Sequence, residues 1–186
     1  MASNHLLCFF LLSLISCKNT AQERTTNDQR YQQEALQFLN VVYGAELSSQ
    51  TLLLDDQPHF KHAESVLQNG YFSRTEYLQI RKQIERPHIT TWRGFFRQKV
   101  RYIARDSVNM AFRDLHSFDF WTYVIPNIDS GVRAISAPIF LRNYSYCVFS
   151  SATTYVRMKE RGEISLYRKV GRKWVIFRKI YSWNEE

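Results

Sequence analysis

The chain has 186 residues, 45% hydrophobic and 23% charged, and 25 Lys and Arg against 17 Asp and Glu give it a net charge of +8. This length is one domain, large enough for a real core, and excludes a multidomain architecture. Residues 18–86 carry 8 Lys/Arg and 9 Asp/Glu, whereas residues 87–186 carry 17 and 8, so the excess positive charge lies in the C-terminal half. Such a half suits an acidic protein, an anionic lipid headgroup or nucleic acid, or it forms the solvated faces of strands.

The chain opens on an apolar run, Leu6 to Ile15, that ends at Ser16-Cys17. About ten apolar residues fall short of the roughly 20 that cross a bilayer as a helix, and the pattern is that of a removed secretory signal. Leu14-Ile15-Ser16-Cys17 resembles the bacterial lipobox, which implies cleavage before Cys17 and a lipid on its thiol. The n-region, Met1 to His5, departs from the usual signal in having no Lys or Arg. The alternative is an ordinary cleaved signal with a chance Cys beside the cut. Lipidation would bury many CH₂ groups at ~0.8 kcal/mol each and make the anchor effectively permanent. The lipoprotein resemblance also implies a sorting rule, in which Asp after the Cys retains a protein in the inner membrane. Lys18 stands there instead, and Glu23 is the one acid in the next six residues, so the expected location is the outer membrane, facing the periplasm. That compartment makes nucleic acid an unsuitable partner. The expected organisation is a signal peptide over 1–16, lipidated Cys17 with a flexible tether through 27, and a single domain over 28–186. Cys8 leaves with the signal, so Cys147 stands alone, no disulfide forms within the domain, and Cys147 reads as a buried small hydrophobe.

Asn27 to Tyr43 reads as an amphipathic helix with Tyr31, Ala35, Phe38, Leu39 and Val42 on one face, Asn27 as cap and Gly44 as a left-handed stop. Thr51 to Leu54 suits a short strand or a buried turn, and Asn69-Gly70 marks a turn. Ser73-Arg74-Thr75-Glu76 is a capping box opening a helix that ends near Arg86, because Pro87 cannot continue it. Between Trp92 and Arg105, Arg93, Arg97, Arg101 and Arg105 recur every four residues as on a helix, while the alternation of apolar and basic residues suits a strand; a strand at 99–104 is favoured. Phe118 to Ile125 reads as a short helix before Pro126.

The last 55 residues read as an antiparallel sheet. Gly131 to Leu141 is its first strand, edge or bulged because of Pro138, followed by Tyr144–Val156 after a tight turn at Arg142-Asn143. Lys159 to Gly162 is the next turn, and Ile164–Val170 and Trp174–Trp183 form a hairpin. Strict alternation puts Val175, Phe177, Lys179, Tyr181 and Trp183 on one face, and Trp174, Ile176, Arg178 and Ile180 on the other. The expected fold class is α+β, with N-terminal helices packed on one side of a C-terminal antiparallel sheet of about four strands.

Three segments resemble a group of small, uncharacterised lipoproteins of two-membrane bacteria. They are Phe72 to Tyr77 with Gln83-Ile84 and Trp92, then Ile135 to Tyr144, then Gly162 to Lys169 with Lys173-Trp174-Val175 and Trp183. The group brings no known activity. Some members carry a Cys/Gly-rich loop where this chain has Arg157-Met158-Lys159-Glu160-Arg161-Gly162.

No motif for catalysis stands out. Asp55-Asp56-Gln57-Pro58-His59-Phe60-Lys61-His62 is the densest group of metal-type ligands, but zinc needs about three converging ligands. Pro58 and Lys61 make a poor cage, so the segment reads as a solvated loop into a short helix, and neither metal nor cofactor is expected. Asp114, His116 and Asp119 offer an acid/base pair, and Ser107, Ser117 and Ser136 offer hydroxyls, none in a nucleophile elbow. Enzymatic activity is therefore left open, with a non-catalytic protein favoured. Tyr144, Tyr146, Tyr155, Tyr167, Tyr181, Trp174 and Trp183 concentrate on the sheet with Arg142, Arg157, Arg168 and Arg178. Tyr, Trp and Arg dominate binding hot spots and equally fill antiparallel sheets. The expected binding residues are Arg142, Arg157, Arg168, Arg172, Arg178, Tyr167, Tyr181 and Trp183, and the expected function is non-catalytic binding of a protein or envelope component. The alternative is a small-molecule or enzymatic pocket in a helix-covered curved sheet of nuclear-transport-factor-2-like type, by fold analogy.

Overall fold

The computed structural model describes residues 27–49, 53–68, 70–96, 100–107, 131–155 and 159–185. The signal, Cys17, the tether and the 118–125 helix expected from the sequence lie outside them. The chain divides between Ala35 and Leu36 into two units. Of the first, residues 27–35 are described; they are helical, with Tyr31 and Ala35 buried.

The elements are α1 (27–42), α2 (Gly44–Ser49), β1 (Leu53–Asp55), α3 (Ala63–Leu67), α4 (Arg74–Glu85), β2 (Arg101–Ile103), β3 (Val132–Ile135), β4 (Ile139–Leu141), β5 (Tyr146–Thr154), β6 (Glu160–Val170) and β7 (Lys173–Glu185). Helices come first and most strands last, as an α+β chain requires. The sheet is larger than expected and mixed. Among the described residues seven strands run in the order β2-β1-β3-β5-β6-β7, with β4 also on β5, and β1 is parallel to both of its neighbours. Three strands exceed the expected four: β4 is split from the expected 131–141 strand, and β1 and β2, three residues each, join from the N-terminal side, with β2 inside the strand favoured over 99–104.

The first helix ends beside Gly44 as expected, but Gly44 is not left-handed and opens α2. Tyr43 N–H donates to Leu39 O and Leu47 N–H to Tyr43 O, both at 2.8 Å, so helical bonding continues into α2. Ser73 does cap α4: its hydroxyl accepts from Glu76 N–H, and the Glu76 carboxylate accepts from Ser73 N–H at 2.9 Å.

The strand expected over Gly131–Leu141 is interrupted at Ser136-Ala137-Pro138. Ile135 faces Ser151 and Ile139 faces Val148, so the interrupted strand has one residue more than β5 over this stretch. Ser136 closes the bulge. Its N–H donates to Ser150 O, and its Oγ accepts from Ser150 N–H, both at 2.9 Å, replacing the ladder that Pro138 cannot continue. Lys159–Gly162 is not a turn, because Glu160 already pairs with Thr154 and begins β6.

Strict alternation fails in β7. Its 13 residues pair with the 11 of β6 through two register shifts, which leave Phe177 and Ile180 as extra residues. A bulge holds its two residues on the same side. Phe177 therefore joins Arg178, and Ile180 joins Tyr181, on the face that also carries Val175 and Trp183. Lys179, paired with Ser165, moves to the opposite face. Gly171 has φ +61° at the first position of the two-residue β6–β7 turn, where a side chain would be strained.

Helices cover both sides of the sheet, not one. Val66 of α3 and Ile80 of α4 pack with Ile139, Leu141, Val148, Ile164, Leu166 and Trp183 on one face. On the other, Phe38 of α1 meets Phe149 and Tyr167 at 5.0 Å, Trp174 at 5.5 Å and Phe140 at 6.4 Å, all edge-on. Each such pair is worth ~0.5–1.5 kcal/mol beyond burial. Two-sided cover follows from β6, whose residues Ile164 to Tyr167 are buried in sequence.

Trp183 closes the α3–α4 face by lying across Gly162, where an added Cβ would collide with its ring. Gly162→Ala is expected to lower the unfolding free energy by ~1–3 kcal/mol in urea titration; an unchanged midpoint would show that the ring moves aside freely.

Candidate functional site

Two surfaces arise from this sorting. The first is on the α3–α4 face at its outer edge. Tyr146 pairs with Arg168 and Arg168 with Val175 across three strands. Arg142, from the β4–β5 turn, stacks on the Tyr146 ring at 4.6 Å, and Arg168 stacks on Phe177 at 5.2 Å. Phe177 meets Tyr146 edge-on at 5.8 Å, which joins the two stacks into one strip. Arg178, one pair along the strand, stacks on Tyr71 at 4.5 Å. Phe177 is 49% exposed and Tyr71 47%. Among the described residues neither Arg168 nor Arg178 makes an ion pair. Their guanidinium groups are held flat on rings, at ~0.5–1 kcal/mol per exposed stack, with hydrogen-bonding capacity left over.

Arg142 is fixed more firmly. Its Nε donates to Glu76 Oε1 at 2.7 Å. It opens three residues in left-handed conformation, Arg142, Asn143 and Tyr144, with φ of 49°, 53° and 65°. Each such residue costs ~1–3 kcal/mol and persists where surroundings over-determine it; here the Glu76 bond, the Tyr146 stack and the Ser145 N–H bond to Arg142 O at 3.2 Å do so.

The structure thus brings Arg142, Arg168 and Arg178 to one surface, with Tyr181 on the same face stacked on Trp183 at 5.9 Å. Arg172 lies in the exposed β6–β7 turn. Tyr167 is buried under Phe38 on the opposite face, where desolvation raises its phenol pKa, and Trp183 is 8% exposed and part of the core. Arg157 lies outside the described residues. Tyr71 and Phe177 were missed: Tyr71 precedes the capping box in a segment with no period, and strict alternation could not place Phe177 beside Arg178.

The second surface is a polar cleft of about 620 Å³ on the α1 face. Its floor is a grid set by strand register. One row is Arg133, Thr153, Arg161 and Asn184, and the next is Ser151, Glu163 and Ser182, with Lys179 beyond. Arg133 donates to Thr153 Oγ1 and lies 3.7 Å from Glu46. Lys179 Nζ lies 2.6 Å from Glu163 Oε2, and Ser165 Oγ donates to Glu163 Oε1 at 3.2 Å. Arg161 has no ion pair among the described residues. Tyr43 sits beside this floor; burial raises its phenol to about 12, against smaller opposing effects from Arg133 and the Ser151 hydrogen bond.

The other polar clusters are structural. Glu160 is buried at the sheet end and accepts from Lys61 Nζ, Trp183 Nε1 at 2.8 Å and Thr154 Oγ1 at 3.1 Å. Burial pushes its carboxyl up, but these donors together outweigh burial and hold it below the usual range. Asp55 is buried, not solvated as expected, and takes two bonds from Arg105 at 3.0 and 2.8 Å. Asp56 holds Arg93 at 3.0 Å, so part of the basic excess after residue 87 is neutralised by this acidic pair. Among the described residues no group of three His, Cys, Asp or Glu side chains converges as a metal site. Cys147 is fully buried, and desolvation raises its thiol pKa, as suits a packing residue. Ser136 is taken up by the bulge, and Asp114, His116, Ser117 and Asp119 lie outside the described residues.

The Arg142 bond, with help from the Ser73 amide and hydroxyl and against burial, lowers Glu76 from 4.5 to about 2. The folded-state value lies below the unfolded one, so its stabilisation is complete above pH 4.5 and lost as pH falls through about 2. With Arg142 49% exposed, screening reduces it to about 1 kcal/mol or less. Glu76→Gln should remove that part of the acid-limb slope in denaturation curves taken at successive pH values; an unchanged slope would place the acid sensitivity elsewhere. No family model, curated protein or solved structure matches the chain.

Proposed function

We propose that this chain is a membrane-anchored envelope lipoprotein with a non-catalytic binding role. The lipobox-like Leu14 to Cys17 supports an anchor at Cys17, and Lys18 supports the outer membrane, with the domain facing the periplasm. The observation that carries the binding role is the joined strip Arg142-Tyr146-Phe177-Arg168 with Arg178 on Tyr71 beside it. Exposed rings flanked by guanidinium groups combine desolvatable area with charge, the composition of binding hot spots. The partner it suits is an acidic protein or another anionic envelope component, whose carboxylates would bond the free edges of Arg168 and Arg178 while apolar side chains cover Phe177.

The test is affinity capture of the full-length protein from crosslinked cells, with mass spectrometry of what it retains. Combined Arg168→Glu and Arg178→Glu should reduce recovery of a stoichiometric partner by more than about tenfold, with cooperative unfolding retained and the thermal midpoint lowered only by the loss of two exposed stacks, about 2–8 °C. Equal recovery would refute the arginine–aromatic strip as the binding face. In the same cells, Cys17→Ala should shift the protein from the membrane to the soluble fraction; retention in the membrane would refute the anchor.

A further inference from the structure

The cleft on the α1 face has its own chemistry, and it does not rest on the arginine–aromatic strip, which lies on the opposite face. Its side chains are dominated by donors. Arg133, Arg161 and Lys179 bring three cations, Asn184 an amide, and Ser151, Thr153 and Ser182 hydroxyls. Lys179 is matched by Glu163 and Arg133 by Glu46, which among the described residues of the cleft leaves Arg161 as the uncompensated charge. Its neighbours in the row are Thr153 and Asn184, one on each side. That arrangement is a seat for an oxyanion, because the planar guanidinium offers two parallel N–H donors and the flanking groups supply more. The remaining hydroxyls and the Glu163 carboxylate suit a ligand with hydroxyl groups of its own. Phe38 covers Phe149, Tyr167 and Trp174 on this face, while Tyr155 and Trp183 line the cleft beside its polar groups. The cleft volume, about 620 Å³, lies in the ordinary range for small-molecule sites.

We infer that this cleft binds a small hydroxylated oxyanion, a sugar acid or sugar phosphate, with Arg161 on the anionic group and Glu163, Ser151 and Ser182 towards the hydroxyls. The small-molecule pocket that the sequence leaves as an alternative would then be this polar cleft, built on strands β3, β5, β6 and β7.

The test is calorimetric titration of the full-length protein in detergent with glucuronate, glucose 6-phosphate and glucose. Saturable binding of either anionic sugar, at least tenfold tighter than glucose, is expected, and the stronger of the two identifies the anionic group. One charge-assisted bond lost should weaken it about ten- to a hundredfold in Arg161→Ala. Because Arg161 is exposed, this variant should keep its thermal midpoint, and Arg168→Glu on the opposite face should bind the sugar unchanged. No saturable binding of either anion, equal binding of glucose, or an unaffected Arg161→Ala would each overturn the inference. Loss of partner capture in Arg168→Glu with sugar binding intact would leave the two surfaces independent.

Discussion

The pairing of β7 with β6 governs the rest of the molecule. Thirteen residues are fitted to eleven, and the two surplus residues, Phe177 and Ile180, are held on the α3–α4 side. Without those bulges, period two would put Lys179 beside Trp183 and Arg178 against the α1 face. With them, Lys179 reaches Glu163 in the cleft, and Arg178 reaches Tyr71 on the far side. The ends are clamped in opposite senses: Trp174 packs under Phe38, and Trp183 packs over Gly162. Neither tryptophan can change face without opening a core, so the register between them is confined.

This arrangement also explains how an edge strand with Val175, Ile176 and Phe177 exposed is compatible with one fold. Bulges, Lys173, Arg178 and Lys179 interrupt the edge and disfavour continued strand pairing. The exposed apolar groups are left for side-chain contacts, and Val175 and Phe177 sit on the face of guanidinium groups already ordered by stacking, whereas Ile176 points to the opposite face. Pre-ordered arginines lose less rotamer entropy when a partner binds. The same sheet thus offers a stacked, aromatic surface on one side and a donor-rich cleft on the other, each next to the helix that covers the remaining half.

Much of this was legible from local chemistry. The Ser73–Glu76 capping box, the Pro87 stop, the strand around Arg101–Ile103 and the C-terminal hairpins follow from caps, prolines and alternation. Arg142, Arg168 and Arg178 were legible as basic residues among aromatics, but their common surface was not. Alternation cannot see a one-residue insertion: the break at Ser136–Pro138 reverses the facing of Ile139 to Leu141, and the bulges at Phe177 and Ile180 reverse Arg178 and Lys179 between them and cancel beyond, so Tyr181 and Trp183 face as alternation predicts. Spacing does not reveal that β1 and β2 join the C-terminal sheet, a placement held by Asp55 and Asp56 meeting Arg105 and Arg93 from far along the chain. The cleft was hidden for the same reason, since Arg133, Arg161 and Lys179 come together only through register. Helices on both faces follow from β6 being buried on both sides, which reads in sequence as an ordinary half-apolar strand.

The most direct test of the central claim is photo-crosslinking in intact cells, with the reactive side chain placed at Phe177 in one strain and at Leu78, exposed on α4, in another. The bulged edge and its arginine stacks predict one discrete adduct from position 177 and none from position 78. Adducts of equal yield from both positions, or none from 177, would contradict the assignment of this surface to binding.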